Sequence, residues 1–235
     1  MVTASQSLRR TAAIPHWQGQ FAWIIAAAVI GFTESFIFSS TLEVSRNLWV
    51  GIHAVVVGTI MYAYTRWANI DVGQMLRRHW VAGIVVGVAV ATLLAFLIVN
   101  GQTASPRDHG LTFAWEIAWL GIVYGTADAL LLSVLPVYAV WQASKDLGHT
   151  DRWTGKIGTA VVAMAASLLL TTAYHLGFAE FRNSHMFSAY MGNGIVSVSY
   201  LLSGNPITAI MAHIAMHITS VVHGITSTVT LPPHY

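Results

Sequence analysis

The sequence predicts an all-α polytopic membrane protein, a transmembrane helical bundle of about seven spans. Three observations carry this. Hydrophobic residues make up 55% of the 235, and charged residues only 9%, against about a quarter in a soluble domain. Mean hydropathy is +0.62. The apolar stretches are continuous for roughly twenty residues, the length of a helical span, and lack the alternation of a membrane strand.

The elements follow in order. Residues 1–20 are polar, with Pro15 and Trp17, and read as a surface segment. A single transmembrane domain over 21–228 follows, and 229–235 form a short exposed tail. Helix one is expected at about 21–41 and carries Glu34; its apolar run is too long for a signal-peptide core. Helix two, about 48–64, carries His53, and a polar connection follows over 66–78. Helix three, about 79–99, is almost wholly apolar, with Gly83-x-x-x-Gly87 for close packing. Residues 100–110 are a loop by their turn signals.

Helix four, about 113–142, is long. It holds Gly121-x-x-x-Gly125, then Asp128, then Pro136, which should kink its far end. After a charged connection, helix five (about 157–178) carries His175. Helix six (about 186–202) is rich in small residues. Ser203-Gly-Asn-Pro206 separates it from helix seven, about 206–226, where His213 and His217 are i and i+4 and share a face.

Eight of the eleven Arg and Lys fall in alternate connections. The positive-inside rule then puts the N-terminus in the cytoplasm and the C-terminus outside. The plasma membrane is the expected setting. All nine Trp lie within about two turns of a predicted helix end, as an aromatic belt requires. The formal charge of +2 reflects scattered loop cations, so no nucleic-acid partner is implied. There is no cysteine, which excludes disulfides, thiolate metal sites and cysteine nucleophiles.

An ionisable side chain in hydrocarbon costs roughly 2.5 kcal/mol or more, so each should face inward and have a partner. His53, near a helix start, reads as a satisfied interfacial side chain. Glu34 either pairs with a histidine or stays a neutral acid bonded to Ser or Thr. Asp128 sits mid-span on the face of Gly121 and Gly125, pointing into a tight interhelical space. With His175, His213 and His217 it gives one carboxylate and three imidazoles on three helices. That set suits acid–base activation of water, or a divalent metal, zinc above all, with Asp128, His175, His213 and His217 as ligands. The bland alternative is that these groups only bond one another and fix the helix arrangement.

The order of these elements resembles the CAAX protease and bacteriocin-processing family of intramembrane proteases, the type II CAAX prenyl endopeptidase-like proteins. Gly125-Thr-Ala-Asp128 is followed by a deep histidine. Then come a Gly-rich helix, Gly204-Asn-Pro206, and Ala212-His213-Ile-Ala-Met-His217. The resemblance covers about 115–225. The family pattern is E-E-x-x-x-R, F-x-x-x-H and H-x-x-x-N. Here Ala127-Asp128 stands for the two glutamates, Leu132 for the arginine, Thr171 for the aromatic, and His217 for the asparagine. Asp places its carboxylate about 1.5 Å further back than Glu. The resemblance implies a hydrolase in which Asp128 and His175 activate water while His213 and His217 hold an oxyanion. The substrate would be a membrane protein or peptide.

Two further readings stand beside this one. One is a non-catalytic membrane protein that binds a protein or lipid partner. The other is a proton-coupled transporter in which Glu34, Asp128 and the histidines form a relay. Helix counting also sets a demand. His175 is near the outer end of its helix and His213 in the cytoplasmic half of its own. Upright helices would separate them in depth by roughly 10–15 Å.

Overall fold

A computed structural model describes residues 16–182, 185–226 and 230–232. The described residues form eight helices: α1 (His16–Thr41), α2 (Arg46–Trp67), α3 (Val72–Arg77), α4 (Trp80–Gly101), α5 (Gly110–Asp146), α6 (Trp153–Leu176), α7 (Met186–Ser203) and α8 (Ile207–Gly224). Among them no strand occurs. Six, all but α3 and α7, are long and apolar enough to cross a membrane. Their outward faces carry Ile25, Val29, Val55, Val85, Phe96, Val161 and Leu169. The chain is an integral membrane protein whose bundle faces lipid.

Helix α7 has the length of a span but is less apolar, because Asn193 and several serines lie along it. It is packed between α4, α6 and α8, and its polar face is buried against protein. Helix α5 is the axis of the bundle and touches α1, α2, α6, α7 and α8. Lipid removes most of the hydrophobic drive between helices, so small residues and interhelical hydrogen bonds carry association. The glycines of α5 serve this. A Cβ at Gly125 would lie 2.9 Å from Ile214 Cα and 3.1 Å from the His213 carbonyl oxygen. Gly83 and Gly87 of α4 likewise accept Asn205 and Met211.

Three stretches depart from α geometry. The hydrogen bonding widens to π turns over Ser35–Thr41, Ile117–Val123 and Ala129–Val134. Glu34 and Asp128 are each the last residue before such a stretch. π turns re-aim the side chains beside them and recur at functional sites.

Several expectations change. Trp17 and Gln20 already belong to α1, which starts at His16; residues 1–15 lie outside the described residues. The connection over 66–78 contains the short helix α3. Trp49 is not part of a lipid-facing belt, being buried and stacked on His53. The tail is not exposed where described: Leu231 and Pro232 are buried. Arg46 explains why, since its Nε donates to the Pro232 carbonyl (2.7 Å) and its Nη1 to that of Ile225 (2.7 Å).

Candidate active site

Four helices place their ionisable groups in one buried row. Glu34 Oε1 of α1 lies 2.8 Å from His53 Nδ1 of α2. The other ring nitrogen, His53 Nε2, is 3.2 Å from Asp128 Oδ1 of α5. Asp128 Oδ2 is 3.3 Å from His217 Nε2 of α8. All four side chains are at most 4% exposed. The 2.8 Å contact is a well-formed hydrogen bond. The two longer ones are ion-pair distances without in-line hydrogen-bond geometry, and His53 Nε2, Asp128 Oδ1 and His217 Nε2 have no aligned partner among the described residues.

Both nitrogens of His53 face carboxyl oxygens, so each gap requires a proton. An imidazolium supplies both. A neutral ring supplies one, and the acid opposite its bare nitrogen supplies the other. Two carboxyls matched by two imidazoles let the row be neutral overall, which a low-dielectric interior demands. Aromatic rings enclose it: Trp49, Tyr124 and Tyr174 pack on His53, and Tyr124 packs on His217 with centroids 4.7 Å apart. The Tyr124 and Tyr174 hydroxyls are bonded at 3.0 Å.

His213 is oriented from another side. Pro136 has no N–H to offer the Leu132 carbonyl, and Ser167 Oγ (2.6 Å) and Asn193 Nδ2 (3.3 Å) donate to it instead. Asn193 Nδ2 also approaches Thr171 Oγ1 (2.6 Å) and Ser167 Oγ (2.9 Å). These acceptors fix the amide nitrogen, so Asn193 Oδ1 must accept; it takes the Ser133 hydroxyl at 2.7 Å and faces His213 Nε2 at 3.4 Å. A proton on Nε2 leaves Nδ1 of His213 as a lone pair, and Nδ1 has no partner among the described residues.

Asp128, His213 and His217 each offer a donor atom within 4.8 Å of the other two. They border a cavity of about 40 Å³, also lined by Tyr124, His175, Asn193 and, from the tail, Thr230, Leu231 and Pro232. A water needs roughly 10–15 Å³ of such space and a few polar partners, so the cavity has room for more than one. A water bonded to two groups at about 2.8 Å holds them roughly 4.6 Å apart. A zinc ion with bonds near 2.1 Å draws its ligands to roughly 3.4 Å of each other. Asp128 Oδ2 and His217 Nε2, 3.3 Å apart, already stand at the ligand spacing of an ion, and the spacing within 4.8 Å across the trio also admits a water beside His213.

Three of the four residues singled out from sequence therefore converge. His175 lines the same cavity but stands outside the trio. Its Nδ1 donates to the Thr171 carbonyl at 2.9 Å, and its ring packs on Phe181. His175 and His213 both border this cavity. The sequence reading undervalued His53, which is fully buried between both acids, and passed over Asn193 and Tyr124. For Asn193 the available signal was a lone amide in a small-residue membrane helix. Glu34 resolves to the histidine-paired alternative.

Comparison with family models, curated proteins and solved structures finds no match.

Proposed function

We propose that this chain is a membrane-embedded hydrolase of the CAAX-protease-like type that cleaves peptide bonds in a membrane protein or peptide. The observation that carries the reading is the convergence of Asp128, His213 and His217 from two helices on a cavity with room for water. In this reading Asp128 takes a proton from the water, and His213 Nδ1 accepts the water's second hydrogen and aims its oxygen. As oxygen bonds to the scissile carbon, His217 stabilises the developing oxyanion. The proton passes to the departing amine. His53, held by Glu34, fixes the orientation of Asp128. The Arg and Lys distribution supports an N-terminus in the cytoplasm, which puts the end of the cavity bordered by the tail outside, and the plasma membrane is the setting that goes with this reading.

The test is cleavage of transmembrane and prenylated peptides by protein reconstituted in liposomes. Asp128→Asn and His213→Phe should each abolish cleavage while keeping the wild-type unfolding midpoint, and His223→Gln should leave it intact. Cleavage by either site variant overturns the assignment.

The row Glu34–His53–Asp128–His217, with successive contacts of 2.8, 3.2 and 3.3 Å, favours a second reading, a proton-coupled transporter. Liposomes loaded with a pH-sensitive dye separate the two. A relay predicts proton flux that Glu34→Gln and His53→Phe abolish, with no peptide cleaved.

A further inference from the structure

A second cavity, of about 1080 Å³, lies at the opposite end of the bundle. It is bordered by the start of α1, α3 with its flanking turns, the last turns of α5 and the end of α7. Its volume is at the upper limit of small-molecule sites. Arg77, Arg78 and Lys145 border it, against one carboxylate, Asp71, whose Oδ1 already accepts the Gln74 N–H at 2.9 Å. The other walls are amphipathic, with Tyr138 and Trp141 contributed by α5.

The segment that carries the arginines is built, not loose. Asn205 Nδ2 donates to the carbonyls of Leu76 (2.9 Å) and Arg78 (2.6 Å) and so pins the end of α3 against the start of α8. The turns around it are fixed by left-handed residues at Asn69, His79 and Gly204. Gln20, fully buried, also borders the cavity. Its Oε1 accepts the Tyr64 hydroxyl at 2.7 Å, and its Nε2 has no partner among the described residues. A buried amide donor beside a basic, aromatic-walled cavity is costly unless an acceptor reaches it.

We propose that this cavity binds a phosphate group, carried by an anionic lipid headgroup or a soluble phosphate compound. Arg77 and Arg78 supply planar forks that match phosphate oxygens, Lys145 adds a third cation, and Gln20 Nε2 donates to an ester or hydroxyl oxygen of the same ligand. The site is independent of the hydrolase reading. A lipid fits the aromatic walls and the cationic end of the bundle, where an anionic leaflet would lie.

The experiment uses the delipidated full chain. Retention of phosphatidylglycerol, phosphatidylcholine of the same acyl chains, glycerol 3-phosphate and inorganic phosphate is measured by native mass spectrometry and by the shift in unfolding temperature. Wild type should retain phosphatidylglycerol over phosphatidylcholine, and Arg77→Gln/Arg78→Gln should lower that retention about tenfold or more. Binding of the two soluble phosphates with equal preference assigns the site to a soluble ligand instead. If no phosphate species binds, or the double variant binds as wild type does, the proposal fails. Should the double variant not fold, Lys145→Gln and Gln20→Leu take its place, and unchanged retention in both overturns it.

Discussion

His53 and Glu34 form a fully buried contact, Nδ1 to Oε1 at 2.8 Å, between α2 and α1. Removing one partner leaves the other buried and unmatched. Glu34→Ala should therefore cost about 3 kcal/mol of unfolding free energy. In Glu34→Leu/His53→Leu the loss should fall short of the summed single losses by about 1 kcal/mol or more. Denaturant unfolding in mixed micelles measures both, and strictly additive losses would show that the pair is not coupled.

Gly125 sets how closely α8 approaches Asp128. Gly125→Ala places a methyl 2.9 Å from Ile214 Cα. Overpacking of that kind costs about 1–3 kcal/mol, and the displaced backbone carries His213 with it. Gly194 is the control, because nothing lies within 4 Å of a Cβ there. Gly194→Ala should be neutral or stabilising by up to about 1 kcal/mol. Equal unfolding midpoints for the two variants would contradict the close approach.

In the proposed mechanism side chains alone hold the water, and no ion is required. Cleavage by the reconstituted protein should survive chelation, and purified protein should hold well under one zinc per chain. Activity that disappears with chelator and returns with zinc would transfer the assignment to a metal centre on Asp128, His213 and His217.

Arg46 anchors Pro232, on the cavity wall, and the end of α8 through the carbonyls of Pro232 and Ile225. Hydrogen bonds to a charged group contribute about 1.5–3 kcal/mol each, so if this segment limits access, losing them should raise access about tenfold or more. The chain has no cysteine, which makes a single introduced thiol a clean reporter. Ala189→Cys, on the cavity wall, should react with a maleimide about tenfold faster when Arg46→Gln is added. An unchanged rate would show that the tail does not limit access.

The spans were legible in the sequence, and so was the inward face of α8. His213, His217, Ser220 and Gly224 are all buried, as their spacing requires. Asp128 was legible as well, because Gly121 and Gly125 mark the face where another backbone comes close. His53 was not. Its position one to two turns from a helix start looked interfacial, and nothing local reveals that the neighbouring aromatics and two acids seal it. Asn193 was hidden for the same reason: its partners Leu132, Ser133, Ser167 and Thr171 lie on two other helices.

The sequence by itself determined which segments are helices in a membrane and which polar residues must turn inward. Both follow from the cost of transferring each residue into hydrocarbon, which is set by composition and helical period. Only the tertiary structure decided which of those residues meet. Pairing Glu34 with His53, and Asp128 with His53 and His217, depends on the relative rotation of four helices. That rotation is set by glycine contacts, by π turns after Glu34 and Asp128, and by a carbonyl that Pro136 leaves to other donors. The glycine contacts and the substitute donors join residues far apart in the chain, so no local pattern states which partners they find.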